Sequence, residues 1–123
     1  MALKDWIDHL TKSRMAGSAL MKASPKLMEA FQHLGAAQNG AGAIDRKTRE
    51  LIALAVAVTT RCETCIAGHV KAAVAAGVTE AELADAMGTA IAMNAGAAYA
   101  YSVRAFDAYQ QFSDAAKAKS ADR

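Results

Sequence analysis

Roughly a quarter of this chain is alanine, and only one of its residues, Pro25, is a proline. That pairing limits the fold more than any other feature. Alanine is the strongest helix former and a poor strand former. Hydrophobic residues make up 54% of the sequence but aromatic residues only 6%, so the apolar side chains are mostly small and predict helices in close approach. The apolar content excludes a disordered chain. With 8 Gly, 1 Pro and 2 Cys, collagen and a disulfide scaffold are excluded as well. A length of 123 residues fits one domain with a buried core. The expectation is a single all-α domain over residues 1–123, with about six helices.

Local signals divide the chain accordingly. Trp6, Ile7 and Leu10, mixed with charges, read as an amphipathic helix from about Leu3 to Met21. Ser24-Pro25 opens a second helix, with Ser24 as N-cap and Pro25 in the first turn. Gly35 to Gly42 (GAAQNGAG) reads as a glycine-rich loop. Asp45 caps a third helix that carries Glu50 and the apolar run Leu51 to Val58, broken around Thr59-Thr60-Arg61. A fourth runs from near Cys62 to Ala76 and is closed by Gly77. Thr79 with Glu82 fits a capping box that opens a fifth helix through Leu83, Met87, Ile91 and Met93. A sixth spans about Ala97 to Phe112, and the polar tail 113–123 is expected to fray.

A net charge of +2 from 14 basic and 12 acidic residues carries no nucleic-acid or membrane signature. No apolar run approaches the ~20 residues of a membrane span. Lys4, Asp5 and Asp8 interrupt the stretch where a signal peptide would need continuous apolar residues. The expected location is the cytoplasm, where two cysteines three residues apart read as redox chemistry or metal binding before a structural staple.

The chemistry is concentrated in Arg61-Cys-Glu-Thr-Cys-Ile-Ala-Gly-His69. On a helix, Cys62, Cys65 and His69 fall within roughly 60° of one another. The helix N-terminus favours a thiolate, and the imidazole can take the thiol proton without a metal. Glu50, on the preceding helix, reaches the same patch if the chain reverses near Arg61. Three readings stay open: small core cysteines, a zinc site of Cys62, Cys65, His69 and Glu50, or a reactive dithiol. A thioredoxin-like fold is rejected, because the rest of the chain is helical and its proline lies upstream of the motif. No phosphate loop, Ser/His/Asp arrangement or carboxylate pair is present.

Asp45-Arg-Lys-Thr-Arg-Glu-Leu-Ile-Ala-Leu-Ala, followed by Cys62, Cys65, His69, Ala73, Gly77-Val-Thr and Glu82, resembles the carboxymuconolactone decarboxylase family. Within it the match is to the AhpD-like branch of thiol-dependent alkyl hydroperoxidases, and it covers about residues 44–109. The resemblance implies an all-helical protomer in a homotrimer or homohexamer, with pockets near subunit contacts. It implies Cys65 as the peroxidatic thiol, Cys62 as proton donor and resolving thiol, and His69 with Glu50 as the proton relay. A peroxide would be the substrate and a protein dithiol the reductant, with no cofactor or metal. The departure is Thr64, where the best-studied members carry a histidine that also serves the relay. The decarboxylase branch lacks the cysteine pair, so no lactone decarboxylation is implied. The alternative is a non-enzymatic dithiol sensor or interaction protein.

Position on the helix also ranks the two thiols. Cys65 lies one turn from His69 and is expected to be the nucleophile, whereas Cys62, at the helix start, is expected to be the more exposed. His9 and His33 read as ordinary helix residues, Met87, Ile91 and Met93 as core or interface, and Tyr99, Tyr101 and Tyr109 as interface packing. Few large side chains in a short helical chain predict a homo-oligomer.

Overall fold

A computed structural model describes residues 2–39 and 42–122. Its helices are α1 (Trp6–Ala23), α2 (Pro25–Asn39), α3 (Arg46–Thr60), α4 (Glu63–Ala75) and α5 (Glu80–Ala121), with no strand among the described residues. The all-α expectation holds. The helix boundaries follow from the caps. Asp5 and Asp45 accept from the N–H groups of Asp8 (2.9 Å) and Thr48 (2.7 Å), satisfying donors that a helix start leaves unpaired. Ser24 closes α1 through its N–H to the Leu20 carbonyl (2.9 Å) and opens α2 by accepting from Met28 N–H (3.2 Å). Gly77, at φ 85°, ends α4. Its N–H bonds Val74 O and that of Val78 bonds Ala73 O, the paired pattern of a Schellman motif. The Thr79–Glu82 capping box is formed on both sides.

Three expectations change. The fifth and sixth helices are one continuous α5 of 42 residues, about 63 Å long at 1.5 Å per residue. Asn94 and Gly96 do not break it, because one glycine costs only about 1 kcal/mol among strong helix formers. The expected frayed tail is helical to Ala121 for the same reason: its alanines and lysines favour helix. The loop expected from Gly35 begins later, since α2 runs to Asn39. Gly42 beyond it takes φ 74°, and positions 40–41 lie outside the described residues.

α3 is the hub. It packs against α4 and the first half of α5, while α1 packs on α4 and α2 beside α1. Arg49 Nη1 also donates to Gln38 O (2.6 Å), tying the end of α2 to α3. The buried hydrophobic residues are Leu10, Leu54, Ala57, Ala67, Ala73 and Ala90. Among the described residues Leu54, 1% exposed, is the only large side chain fully inside. Alanines at the remaining contacts let the backbones approach, as the composition predicts.

The protomer is open. It exposes 9831 Å², against about 6,300 Å² for a compact monomer of its mass. α2 buries no residue. α5 buries only Ala90, and beyond Asn94 its aromatic residues stand in solvent, with Tyr99, Phe106 and Phe112 each more than three quarters exposed. Ile91 and Met93 are also exposed and do not belong to the protomer core. Among the described residues no helix is long and apolar enough to cross a membrane.

Candidate functional site

The site is built by a one-residue reversal. α3 ends at Arg61, which sits in the left-handed region (φ 56°, ψ 44°), a conformation that costs a non-glycine residue roughly 1–2 kcal/mol. Cys62 follows at once as the N-cap of α4, its N–H bonded back to Ala57 O (3.0 Å). This turn lays α4 antiparallel on α3 and brings together two residues 19 positions apart. His69 Nδ1 lies 2.7 Å from Glu50 Oε2.

Glu50 is buried (8% exposed), the one buried charged residue among those described, and His69 is its polar partner. A buried carboxylate without such a partner would be costly. A carboxylate only accepts, so Nδ1 donates the proton of this contact. Glu50 also lines a polar recess of about 370 Å³ with Asn39, Gly42, Ile44, Arg46 and Arg49, which connects the carboxylate to solvent.

Cys62 and Cys65 are joined in a disulfide with Cα atoms 5.2 Å apart, inside the range a bridge requires. Cys62 Sγ also accepts from Cys65 N–H (3.2 Å), so the sulfur itself serves as cap. Cys62 Sγ therefore sits at the α4 start, where a thiolate is favoured. His69 is one helical turn beyond Cys65. The structure thus makes two pairs of the four residues singled out in the sequence, Cys62 with Cys65 and Glu50 with His69.

Two details differ from expectation. Cys65 is exposed and Cys62 half-buried, the reverse of the expected order, because the N-cap backbone is folded against the end of α3 while the next turn faces out. The core-cysteine reading also fails, since neither cysteine is buried. As for zinc, no group of three or more His, Cys, Asp or Glu side chains is placed to hold a metal ion among the described residues.

Sequence reasoning missed a second set of neighbours. α1 crosses the start of α4, where Lys4 Nζ pairs with Glu63 and Thr64 Oγ1 donates to Ser13 Oγ (3.0 Å). His9 Nε2 lies 3.4 Å from the same Ser13 hydroxyl. These pairs are separated by 51 and 59 positions, and no local pattern announces them.

Fold and site together define an all-helical protein that carries a helix-capping cysteine pair beside a carboxylate-backed imidazole. The model of the carboxymuconolactone decarboxylase family matches residues 25–108, and the chain belongs to that family. It is similar to an uncharacterized protein of Haemophilus influenzae, 56% identical over 105 residues, spanning 85% of this chain and 93% of that one. It is also similar to uncharacterized protein 4 in the cox locus of Paracoccus denitrificans, 38% identical over 96 residues, 78% and 86% of the two chains. Among solved structures, an apo carboxymuconolactone decarboxylase family protein from Legionella pneumophila matches with TM-score 0.66 and 37% identity, covering 89% of this chain and 99% of that one.

Proposed function

We propose that the protein is a thiol-dependent peroxidase of the AhpD-like kind, reducing organic hydroperoxides or hydrogen peroxide through Cys65 and Cys62. The observation that carries this reading is the Cys62–Cys65 pair at a helix start, one turn from an imidazole whose far nitrogen is held by a buried carboxylate. In the reduced protein, His69 Nε2 takes the Cys65 proton directly or through one water. The Cys65 thiolate attacks one oxygen of the peroxide. The O–O bond breaks, the departing alkoxide takes a proton from the imidazolium, and Cys65 becomes a sulfenic acid. The Cys62 thiol then attacks that sulfur, forming the disulfide and releasing water. Two electrons and two protons from an external protein dithiol regenerate both thiols by exchange. Glu50 orients His69 and, through its recess, lets protons pass to solvent. The exposed Cys65 suits the group that meets substrate. Such a cycle needs a reducing compartment such as the cytoplasm.

The same proposal includes a homo-oligomer, a trimer or hexamer, with a second copy covering α2 and the distal half of α5. The surplus of about 3,500 Å² over a compact monomer is of the size obligate interfaces bury.

Steady-state peroxide consumption with excess dithiothreitol tests the activity. Many turnovers per protein support it. A single stoichiometric oxidation overturns it in favour of a dithiol sensor.

A further inference from the structure

The two residues between the cysteines, Glu63 and Thr64, are held by the N-terminal segment, Glu63 by Lys4 just ahead of α1 and Thr64 by Ser13 on α1. Lys4 Nζ pairs with the Glu63 carboxylate. Thr64 Oγ1 donates to Ser13 Oγ at 3.0 Å, and that hydroxyl is backed by His9 Nε2 at 3.4 Å. The ring of His9 is wedged in turn against the edge of Trp6, with centroids 6.0 Å apart and planes at 81°, and Lys4 Nζ lies over the Trp6 ring at 5.1 Å. α1 is anchored under this array by Leu10, 7% exposed, whose Cδ1 would lie 3.9 Å from a β-carbon at Gly68. The Glu63 carboxyl is held below its ordinary value of 4.5, first by its hydrogen bond to Lys4 and then by the charge of Lys4, with a smaller contribution from His9. α1 lies outside the segment 25–108 that the family model matches.

We infer that α1 is a clamp on the turn between the cysteines, with Lys4 and Ser13 as positioning residues that favour the Cys62–Cys65 disulfide over the dithiol. Both contacts are made in the bridged form, in which Cys62 and Cys65 stand 5.2 Å apart at Cα. Opening the bridge turns two bonded sulfurs into two thiols that must move out to van der Waals distance. That shifts the first turn of α4, to which Glu63 and Thr64 belong, against its fixed neighbours on α1. Any bond weaker in the dithiol form than in the bridged form raises the cost of reduction. The inference concerns the same site as the proposed peroxidase and rests on the thiol pair being redox-active.

The test is the exchange equilibrium of the whole chain with glutathione, two GSH reducing the bridge to two thiols and forming one GSSG. It needs no peroxide, so it is independent of turnover. Ser13→Ala and Lys4→Met should each shift the constant about three- to tenfold towards the dithiol, the range one surface hydrogen bond or ion pair spans; tenfold is about 30 mV for this two-electron couple. Ser13→Thr, which keeps the hydroxyl, should restore the wild-type value. Thr64→Val should shift the constant as Ser13→Ala does, with no further shift when the two are combined. Constants within twofold of wild type for Ser13→Ala and Lys4→Met, or a shift towards the disulfide, overturn the clamp. Loss of the clamp with intact peroxidase turnover leaves the proposed activity standing, and a clamp without turnover separates them the other way.

Discussion

Replacing Glu50 by Gln changes one thing at the candidate site: it removes a charge while keeping an acceptor. Glu50 Oε2 stands 2.7 Å from His69 Nδ1; its side chain is 11% exposed and that of His69 45%, so solvent screens the contact from the imidazole side. A hydrogen bond to a charged group contributes about 1.5–3 kcal/mol, against about 1 for a neutral pair. The amide therefore forfeits about 0.5–2 kcal/mol of support for the imidazolium that forms when His69 takes the Cys65 proton, with solvent screening favouring the lower end. If that imidazolium is present in the transition state, the first oxidation slows about two- to thirtyfold. The assay is single-turnover: reduced protein is mixed with excess hydrogen peroxide, and thiol loss is followed by stopped flow. Gln can still accept the Nδ1–H, so the fold should be retained and the thermal midpoint little changed. A rate within twofold of wild type, in a protein with an unchanged melting curve, would refute the relay.

Further outcomes are equally open to measurement. Cys62→Ser should still be oxidised once by peroxide, leaving a trappable sulfenic acid at Cys65, whereas Cys65→Ser should slow that step by orders of magnitude; the opposite pattern reverses the two roles. Light scattering should report an oligomer, and Phe106→Glu with Tyr99→Glu should weaken it, because these exposed side chains lie on the unpartnered half of α5; a stable 12.8 kDa particle at micromolar concentration would exclude the assembly. Glu82, bonded to Lys47 Nζ (2.8 Å) and to Thr79 N–H (3.0 Å), has its carboxyl lowered from 4.5 to about 2, chiefly by Lys47. A lowered folded-state value means its stabilising contribution is complete above pH 4.5 and lost as the pH falls towards 2, so Glu82→Gln should flatten the acid dependence of the melting temperature in that window. Leu54→Ala, at a fully buried large side chain, should cost about 3–5 kcal/mol in urea unfolding.

The local structure of this chain could be read from its residues because the signals act within one helical turn. Asp45, Thr79 with Glu82, and Gly77 set helix ends through bonds to donors and carbonyls three to five positions away. Cys62, Cys65 and His69 share a face by the helical repeat alone. Alanine abundance and a lone proline sufficed for the all-α class. The continuity of α5 was less legible, since Asn94 and Gly96 look like a boundary locally and the cost of one glycine is outweighed by its neighbours.

What only the tertiary structure decided lies between elements. The Glu50–His69 contact depends on Arg61 adopting the left-handed turn, which no residue preference at that position demands. The order of exposure of the two cysteines reversed because Cys62 is pressed against the end of α3 by the bond of its own N–H to Ala57 O. The clamp of Lys4 and Ser13 on Glu63 and Thr64 depends on how α1 crosses α4, a geometry set by Leu10 against Gly68. Local hydrogen bonding is encoded residue by residue, whereas the crossing of two helices is set by the summed packing of small side chains, which carry almost no positional signature.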